Sequence, residues 1–343
     1  MPQRLLLIGA GNLARFRAAC FRKISEVSLA GVVSRTEASA QRLARELDLP
    51  VCGADVDAVA AQARPDAVVI TTVNCEHHRH IMWALQRDLD VFVEGPMVVN
   101  SAQAEEVVAL ARERGRIVEV GFQRRYHPVI QRARELVQSG QHGPLVYGEV
   151  EFVWHMAPPP GQPLPWYLDA ALSGGMAVCH MSYGLNTLRW VLGNPVRVFA
   201  AGNSLAFTPE QAGTDTLAVT LMYEAGSVGH IIANFSAPDG FPSGVMKAHC
   251  LTGGFSLQII NDVAGTFWEG NDVIDVTPPA PAEGDAKWGA DDLAAQCAAF
   301  AQALESRTGM LNPPEDSLFE LRLIESALAS AQSQQPVDLP PRG

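Results

Sequence analysis

Short apolar runs alternate with helical stretches through the first 121 residues. Arg4–Ile8, Leu29–Val33, Ala67–Ile70, Val91–Val93 and Ile117–Val120 read as buried strands. Asn12–Arg22, Glu37–Leu47, Glu76–Arg87 and Ala102–Arg114 lie between them and read as helices. Apolar strands separated by helices predict a parallel sheet wound on both faces. This first domain is expected over residues 1–121.

The rhythm then changes. Val146–Trp154, Val196–Ala201, Thr216–Tyr223, Ser227–Phe235, Ala248–Gly253 and Phe255–Ile259 read as strands, some partly alternating. Turn signals such as Gly202-Asn203 and Ala225-Gly226 separate several of them and predict a largely antiparallel sheet. Helices are expected at Ala177–Leu192, Asp291–Leu304 and Ser317–Ser333. The proline-rich stretches 158–165 and 278–281 read as loops, the first of them near a ligand. The expectation is an α/β chain: a doubly wound domain, then a domain over residues 122–343 built on an open antiparallel sheet.

Bulk properties narrow the function. A chain of 343 residues exceeds one ordinary core, and 48% hydrophobic with 18% charged residues suits a packed protein. The net charge of −12 disfavours a nucleic-acid partner. Six scattered cysteines without a C-x-x-C pair fit a reducing cytoplasm better than a disulfide framework or zinc site. Leu5–Ile8 is too short for a signal segment, and no stretch approaches a membrane span. A cytoplasmic protein acting on a small molecule is expected.

Gly9-Ala10-Gly11-Asn12-Leu13-Ala14 follows the first strand and opens the first helix. The first glycine permits a tight turn, the second lets backbone approach a pyrophosphate, and Ala14 allows close helix packing. In strand–turn–helix context this is a dinucleotide fingerprint. The second strand ends at Val33, where an acid would hold the ribose 2′-hydroxyl of NAD; here Ser34-Arg35-Thr36 follows. A hydroxyl and a guanidinium suit a 2′-phosphate, so NADP(H) is expected over NAD(H).

Four separated segments carry a resemblance. Thr71-Thr72-Val73-Asn74 with His77 looks like an A-T-P-N loop followed by histidine, and Glu94-Gly95-Pro96 stands where an E-K-P motif would. Gly121–Tyr126 with Pro128 resembles a segment joining two domains, and Asn312–Asp316 with Leu323–Ala327 resembles a closing helix. Together they resemble the glucose–fructose oxidoreductase/inositol dehydrogenase/rhizopine catabolism (Gfo/Idh/MocA) family. That resemblance implies a Rossmann domain, a second domain whose open sheet pairs subunits into a homodimer or homotetramer, and a nicotinamide meeting substrate in the cleft between them. It implies that Gly9, Gly11, Asn12 and Leu13 face the pyrophosphate, and Ser34 and Arg35 the adenosine ribose. Thr71, Thr72, Asn74 and His77 would line the cofactor groove, Glu94 and Gly95 the nicotinamide side, and Gln123 the lip of the substrate pocket.

The departures concern chemistry. Gly95 replaces the usual lysine, and the chain has only Lys23, Lys247 and Lys287. In the helix after Gly174-Gly175, His180 stands at the position of a family aspartate and Gly184 at that of a histidine. His180 is the candidate proton-transfer group, because imidazole ordinarily titrates near neutrality; water is the alternative. Trp154, His155 and Tyr183 are candidate substrate contacts. His77, His78 and His80 lack the partners of a metal site, so none is expected. The expected activity is hydride transfer to or from a small carbonyl, carbinol or imine. An NAD-retaining glycoside-cleaving enzyme and an inactive dinucleotide-binding sensor or subunit remain alternatives.

Overall fold

Leu5, Leu6, Leu7 and Ile8 of β1 (Gln3–Ile8) are wholly buried, as a strand covered on both faces requires. In this computed structural model the described residues are all except 1, 157, 159–161, 209–210, 212, 239–244, 261–263, 270–271, 276–289 and 341–343. The proline-rich stretch 278–281 lies outside them, as do residues 159–161 of the other one. β1 is joined by β2 (Val27–Val33), β3 (Cys52–Gly53), β4 (Ala67–Ile70), β5 (Asp90–Glu94) and β6 (Val118–Gly121). They form a sheet in the order β3-β2-β1-β4-β5-β6, with every pairing parallel. The order reverses between β1 and β4, so their carboxyl ends open the crevice where such sheets take ligands.

Helices α1 (Asn12–Phe21), α2 (Glu37–Glu46), α3 (Val56–Ala63), α4 (His77–Leu85) and α5 (Ser101–Arg114) connect these strands. The chain divides into two units, the first comprising Met1–Val98, Ala102–Tyr126 and Ala290–Leu318. The last segment differs from the sequence expectation, which assigned it to the second domain. Its helix, here α9 (Ala290–Ser306), buries Cys297 and Phe300 in the core of the first unit. Phe300 meets Phe21 and Phe92 edge-on, with centroids 6.3 and 5.4 Å apart. Buried Glu119 accepts hydrogen bonds from Tyr126 Oη, Gln296 Nε2 and Asn312 Nδ2, and Arg125 pairs with Asp316. The Asn312–Asp316 segment thus fastens onto the stretch after β6.

The second unit comprises Val99–Ser101, His127–Gly289 and Phe319–Gly343. Its strands are β7 (Leu145–Val153), β8 (Arg197–Asn203), β9 (Thr216–Met222), β10 (Val228–Asn234), β11 (Val245–Cys250), β12 (Gly254–Ile260), β13 (Ala264–Glu269), β14 (Asp272–Asp275) and β15 (Val337–Asp338). They pair in the order β14-β13-β12-β11-β7-β10-β9-β8-β15, antiparallel except for β7 with β10. β9 alternates buried and half-buried residues, as a one-sided antiparallel strand does. Helices α6 (Pro128–Gln138), α7 (Ala170–Ser173) and α8 (Ser182–Leu192) belong to this unit, and α10 (Pro314–Ser333) begins in the first unit and ends in the second. α8 lies close on β7: a Cβ on Gly148 would meet Leu192 Cδ1 at 2.4 Å.

Several elements were not predicted. β3 and β15 have two residues each, too few for a period. α3 starts at Asp55, whose carboxylate accepts from the Ala58 N–H at 3.0 Å. α6 carries Pro128 at its start and buries Ile130, Ala133, Leu136 and Val137, a helical spacing. Among the described residues no helix is long and apolar enough to cross a membrane. Truncating Phe300 to alanine is expected to cost about 3–5 kcal/mol in urea unfolding, because its cavity opens between two other rings. A loss below about 1 kcal/mol would contradict the assignment of α9 to this core.

Candidate active site

Two loops meet at the switch between β1 and β4. Gly9 has φ +120°, and a Cβ there would stand 2.8 Å from the Thr71 carbonyl carbon, so only glycine fits. Gly11 differs: a Cβ on it would meet nothing within 4 Å. It is the N-cap of α1, with no side-chain cap and no acid in the first turn. Asn12 is exposed and Leu13 is 41% exposed. The first N–H groups of α1 therefore open onto free space, at the end where a helix favours an anion. At the carboxyl end of β4, Thr71 is buried, its hydroxyl donating to Ile8 O at 3.4 Å. The Thr72 hydroxyl is buried without a partner, and Asn74 is buried in the turn Asn74–Glu76. An orphaned hydroxyl beside an uncapped helix fits a dinucleotide.

At the end of β2, Ser34 is half-buried and its N–H donates to Gly53 O at 3.1 Å. Arg35 is exposed and has no ion pair or hydrogen bond among the described residues. The first carboxylate after it along the chain, Glu37, is engaged: it accepts from the Ala54 N–H at 3.1 Å and from Gln41 Nε2 at 3.3 Å. Among the described residues, Arg35 is thus a cation without a partner at the end of β2.

Glu94 has a different engagement from the one the resemblance implies. Both its oxygens accept from Arg17, Nε to Oε1 at 2.6 Å and Nη2 to Oε2 at 3.0 Å. Neither charge reaches solvent appreciably. Burial opposes the Arg17 charge, yet Glu94 and Cys297 together more than offset this and hold the guanidinium above its ordinary range. Arg17 escaped the sequence reading. Its signal was a charge inside the buried stripe Ala14, Arg17, Ala18, Phe21, since a charge on such a stripe requires a buried partner.

Gly95 is also more than a deleted side chain. A Cβ there would lie 2.6 Å from the Phe122 ring, which fills the space. His77 is wholly buried, with Nδ1 2.9 Å from Pro96 O and Nε2 3.1 Å from Thr72 O. Both partners are carbonyl acceptors, so the neutral ring donates to one of them and packs against the other between the β4 and β5 loops. His78 pairs with Glu106 at 3.0 Å, and no group of three His, Cys, Asp or Glu among the described residues could hold a metal. Gln123 is half-buried in the turn Gln123–Tyr126.

The second unit places His180 in the π-helical turn Ala177–Met181, a widening frequent at functional sites. Its ring lies 5.8 Å from Tyr167 and 5.5 Å from Phe235, and Nε2 is buried without a partner. Desolvation pushes His180 down to about 4, so the ring is neutral at pH 7. This corrects the expectation of titration near neutrality. Gly184 faces Phe152, whose Cβ would be 3.5 Å from a side chain there, so a phenyl group stands beside the position. Trp154 stacks on Phe152 at 5.5 Å, Tyr183 is half-buried in α8, and exposed His155 meets Ala237 O through Nδ1 at 2.8 Å.

Two outcomes follow from this geometry. Gly95→Lys is expected to lose about 1–3 kcal/mol in urea unfolding, and adding Phe122→Ala should recover part of it; additivity of the two changes would contradict the clash. Burial also lowers His77, and takes His80 to about 4. Folded pKa values below the ordinary 6.5 mean that the unfolded chain takes up more protons. Their contribution is therefore complete above about pH 6.5 and is lost as the pH falls towards 4. Melting temperature should drop over that window, and His180→Gln should flatten the drop.

The sequence matches two family profiles. One, described as "Oxidoreductase family, NAD-binding Rossmann fold", covers residues 3–122, and the other, "GFO/IDH/MocA C-terminal domain", covers residues 130–256. Over 326 residues the chain is 26% identical to D-xylose 1-dehydrogenase (NADP(+)) 2 of Haloferax volcanii, covering 92% of this chain and 93% of that protein. It is 24% identical to scyllo-inositol 2-dehydrogenase (NAD(+)) of Bacillus subtilis, covering 69% of this chain and 68% of that one. Among solved structures, the aldose-aldose oxidoreductase of Caulobacter crescentus complexed with glycerol superposes with a TM-score of 0.83 at 21% identity, covering 99% and 100% of the two chains. With its parallel sheet, fingerprint loop and second mixed sheet, the chain belongs to the Gfo/Idh/MocA family of NAD-binding oxidoreductases.

Proposed function

We propose that this oxidoreductase uses NADP(H) in preference to NAD(H) and moves a hydride to or from a carbon bearing oxygen or nitrogen in a small organic substrate. The observation carrying the cofactor preference is the exposed, unpaired Arg35 beside a Glu37 that is already engaged. The similarity to an NADP(+) enzyme supports it, while the inositol relative is named for NAD(+). Bound, the cofactor supplies or accepts the hydride. Gly9, Gly11, Asn12 and Leu13 hold its pyrophosphate, Ser34 and Arg35 the 2′-phosphate, and Thr71, Thr72 and Asn74 its ribose side. Glu94, locked by Arg17, acts by fixing the loop through Gly95, and His77 by fastening that loop to β4.

His180 hydrogen-bonds the reacting oxygen or nitrogen as a neutral imidazole, and the proton exchanges with water. A group already neutral from about pH 5 upward suits a fixed hydrogen-bonding partner better than a proton store. Gln123, Trp154, His155 and Tyr183 shape the substrate side. Two copies pair through the half-exposed face of β7, β9 and β10, as a dimer or tetramer.

Arg35→Asp is expected to lower the preference for NADPH over NADH by roughly ten- to a hundredfold in fluorescence titrations; an unchanged ratio would refute the cofactor assignment. His180→Ala should lower kcat/KM about a hundredfold on a turned-over substrate. The wild-type profile should show no inflection near pH 6.5 that the variant abolishes, and one that vanished in His180→Ala would show the residue titrating there.

A further inference from the structure

Of Ser34, Arg35, Thr36 and Glu37, only Arg35 makes no hydrogen bond or ion pair among the described residues. The Ser34 N–H donates to Gly53 O at 3.1 Å, and Glu37 Oε2 accepts from the Ala54 N–H at 3.1 Å. Gly53 O and Ala54 N belong to one planar peptide group. That group is gripped at both poles, from the end of β2 and from the first residue of α2. It is itself fixed on its other side. A Cβ on Gly53 would stand 2.9 Å from Val59 Cγ2 of α3, and Asp55 caps that helix through the Ala58 N–H. Thr36 caps α2, its hydroxyl accepting from the Ser39 N–H at 3.3 Å and donating to Ser39 Oγ at 2.9 Å. The second Glu37 oxygen, Oε1, accepts from Gln41 Nε2 at 3.3 Å. The turn is thus braced on both sides, with the Arg35 side chain exposed between the braces.

Resting on the proposed preference for NADP(H), we infer that Glu37 is a positioning residue for the 2′-phosphate: its carboxylate grips the Gly53–Ala54 peptide and so sets the turn that presents Arg35. By charge alone an acid here would oppose the ligand, because a carboxylate repels a phosphate. Its contribution comes through geometry instead. A turn ordered before binding has less freedom to lose, which is worth about two- to tenfold for each side chain immobilised. The Ala54 contact is exposed to solvent, so its loss weighs little in global stability and shows in cofactor discrimination.

The test is the ratio of NADH to NADPH dissociation constants, by fluorescence titration of the full chain and of variants checked by thermal melting. Glu37→Asp keeps the charge but is one methylene too short to reach Ala54. Its ratio should fall about three- to tenfold below that of the unmodified chain, through weaker NADPH binding at unchanged NADH affinity. Glu37→Gln loses the charge and keeps an acceptor for the Ala54 N–H, so its ratio should equal or exceed the unmodified one. Glu37→Ala should lie below Glu37→Gln by the same factor as in the aspartate comparison. Both differences should vanish in an Arg35→Ala background. The aspartate comparison decides alone if Glu37→Ala does not fold. An unchanged ratio in Glu37→Asp, equal ratios in Glu37→Ala and Glu37→Gln, or falls that persist without Arg35 would overturn the inference. So would a rise in both uncharged variants through weaker NADH binding, the mark of an acid that reaches the ribose hydroxyl. Those failures leave the preference of the unmodified chain intact. A ratio near one in the unmodified chain removes the NADP(H) reading and this inference together.

Discussion

A guanidinium with no exposed surface must find an anion, and in this chain it finds Glu94. The Arg17–Glu94 pair joins the helix that follows the fingerprint loop to the end of β5, in a two-pronged contact between residues 77 positions apart. Removing one partner from such a pair leaves a buried charge uncompensated, which typically costs about 3–5 kcal/mol, whereas replacing both by apolar groups can be nearly neutral. The pair is therefore weak evidence for stability and stronger evidence for position. It fixes where Gly95 and Pro96 stand relative to α1, while His77 fixes Pro96 relative to Thr72. The loops after β4 and β5, where the cofactor is proposed to bind, are positioned by this pair and by the packing of His77 between them.

With that frame in place, the unusual positions form a consistent picture. The space beside Gly95 holds a phenyl ring, Gly184 faces another, and His180 sits among aromatic rings with its charge suppressed. Under the proposed function, each position carries an apolar ring or a neutral imidazole in place of a charged side chain. Hydride transfer does not require a charged side chain at these points. Holding a substrate in reacting geometry can supply as much as about 7–11 kcal/mol, and a positioned acid or base a smaller share.

The doubly wound sheet was legible because its strands are short, mostly apolar and separated by helices; Ala67–Ile70 emerged with the bounds read from the sequence. The mixed second sheet was legible in outline from alternation in Thr216–Met222 and Val228–Asn234. Two-residue strands were invisible because two residues carry no period. The placement of α9 was invisible because apolar residues show that a helix is buried, not against which core. Gly9 and Gly11 could be read locally, since turn and phosphate approach are backbone properties of a few consecutive residues. The engagement of Glu94 by Arg17, of Gly95 by Phe122 and of His180 by Tyr167 and Phe235 depends on contacts remote in sequence. The neutral state of His180 follows from those contacts as well, so residue type alone suggested the wrong pH range.

The central claim is the proposed one, that the first unit binds NADP(H) in preference to NAD(H) through its fingerprint loop and Arg35. Calorimetric titration of the unmodified chain with NADP⁺ and with NAD⁺ tests it most directly. The account predicts saturable binding of both at one site per chain, with NADP⁺ tighter by roughly tenfold or more, because a 2′-phosphate gains one charge-assisted contact at Arg35. Tighter binding of NAD⁺, or no saturable binding of either, would contradict it.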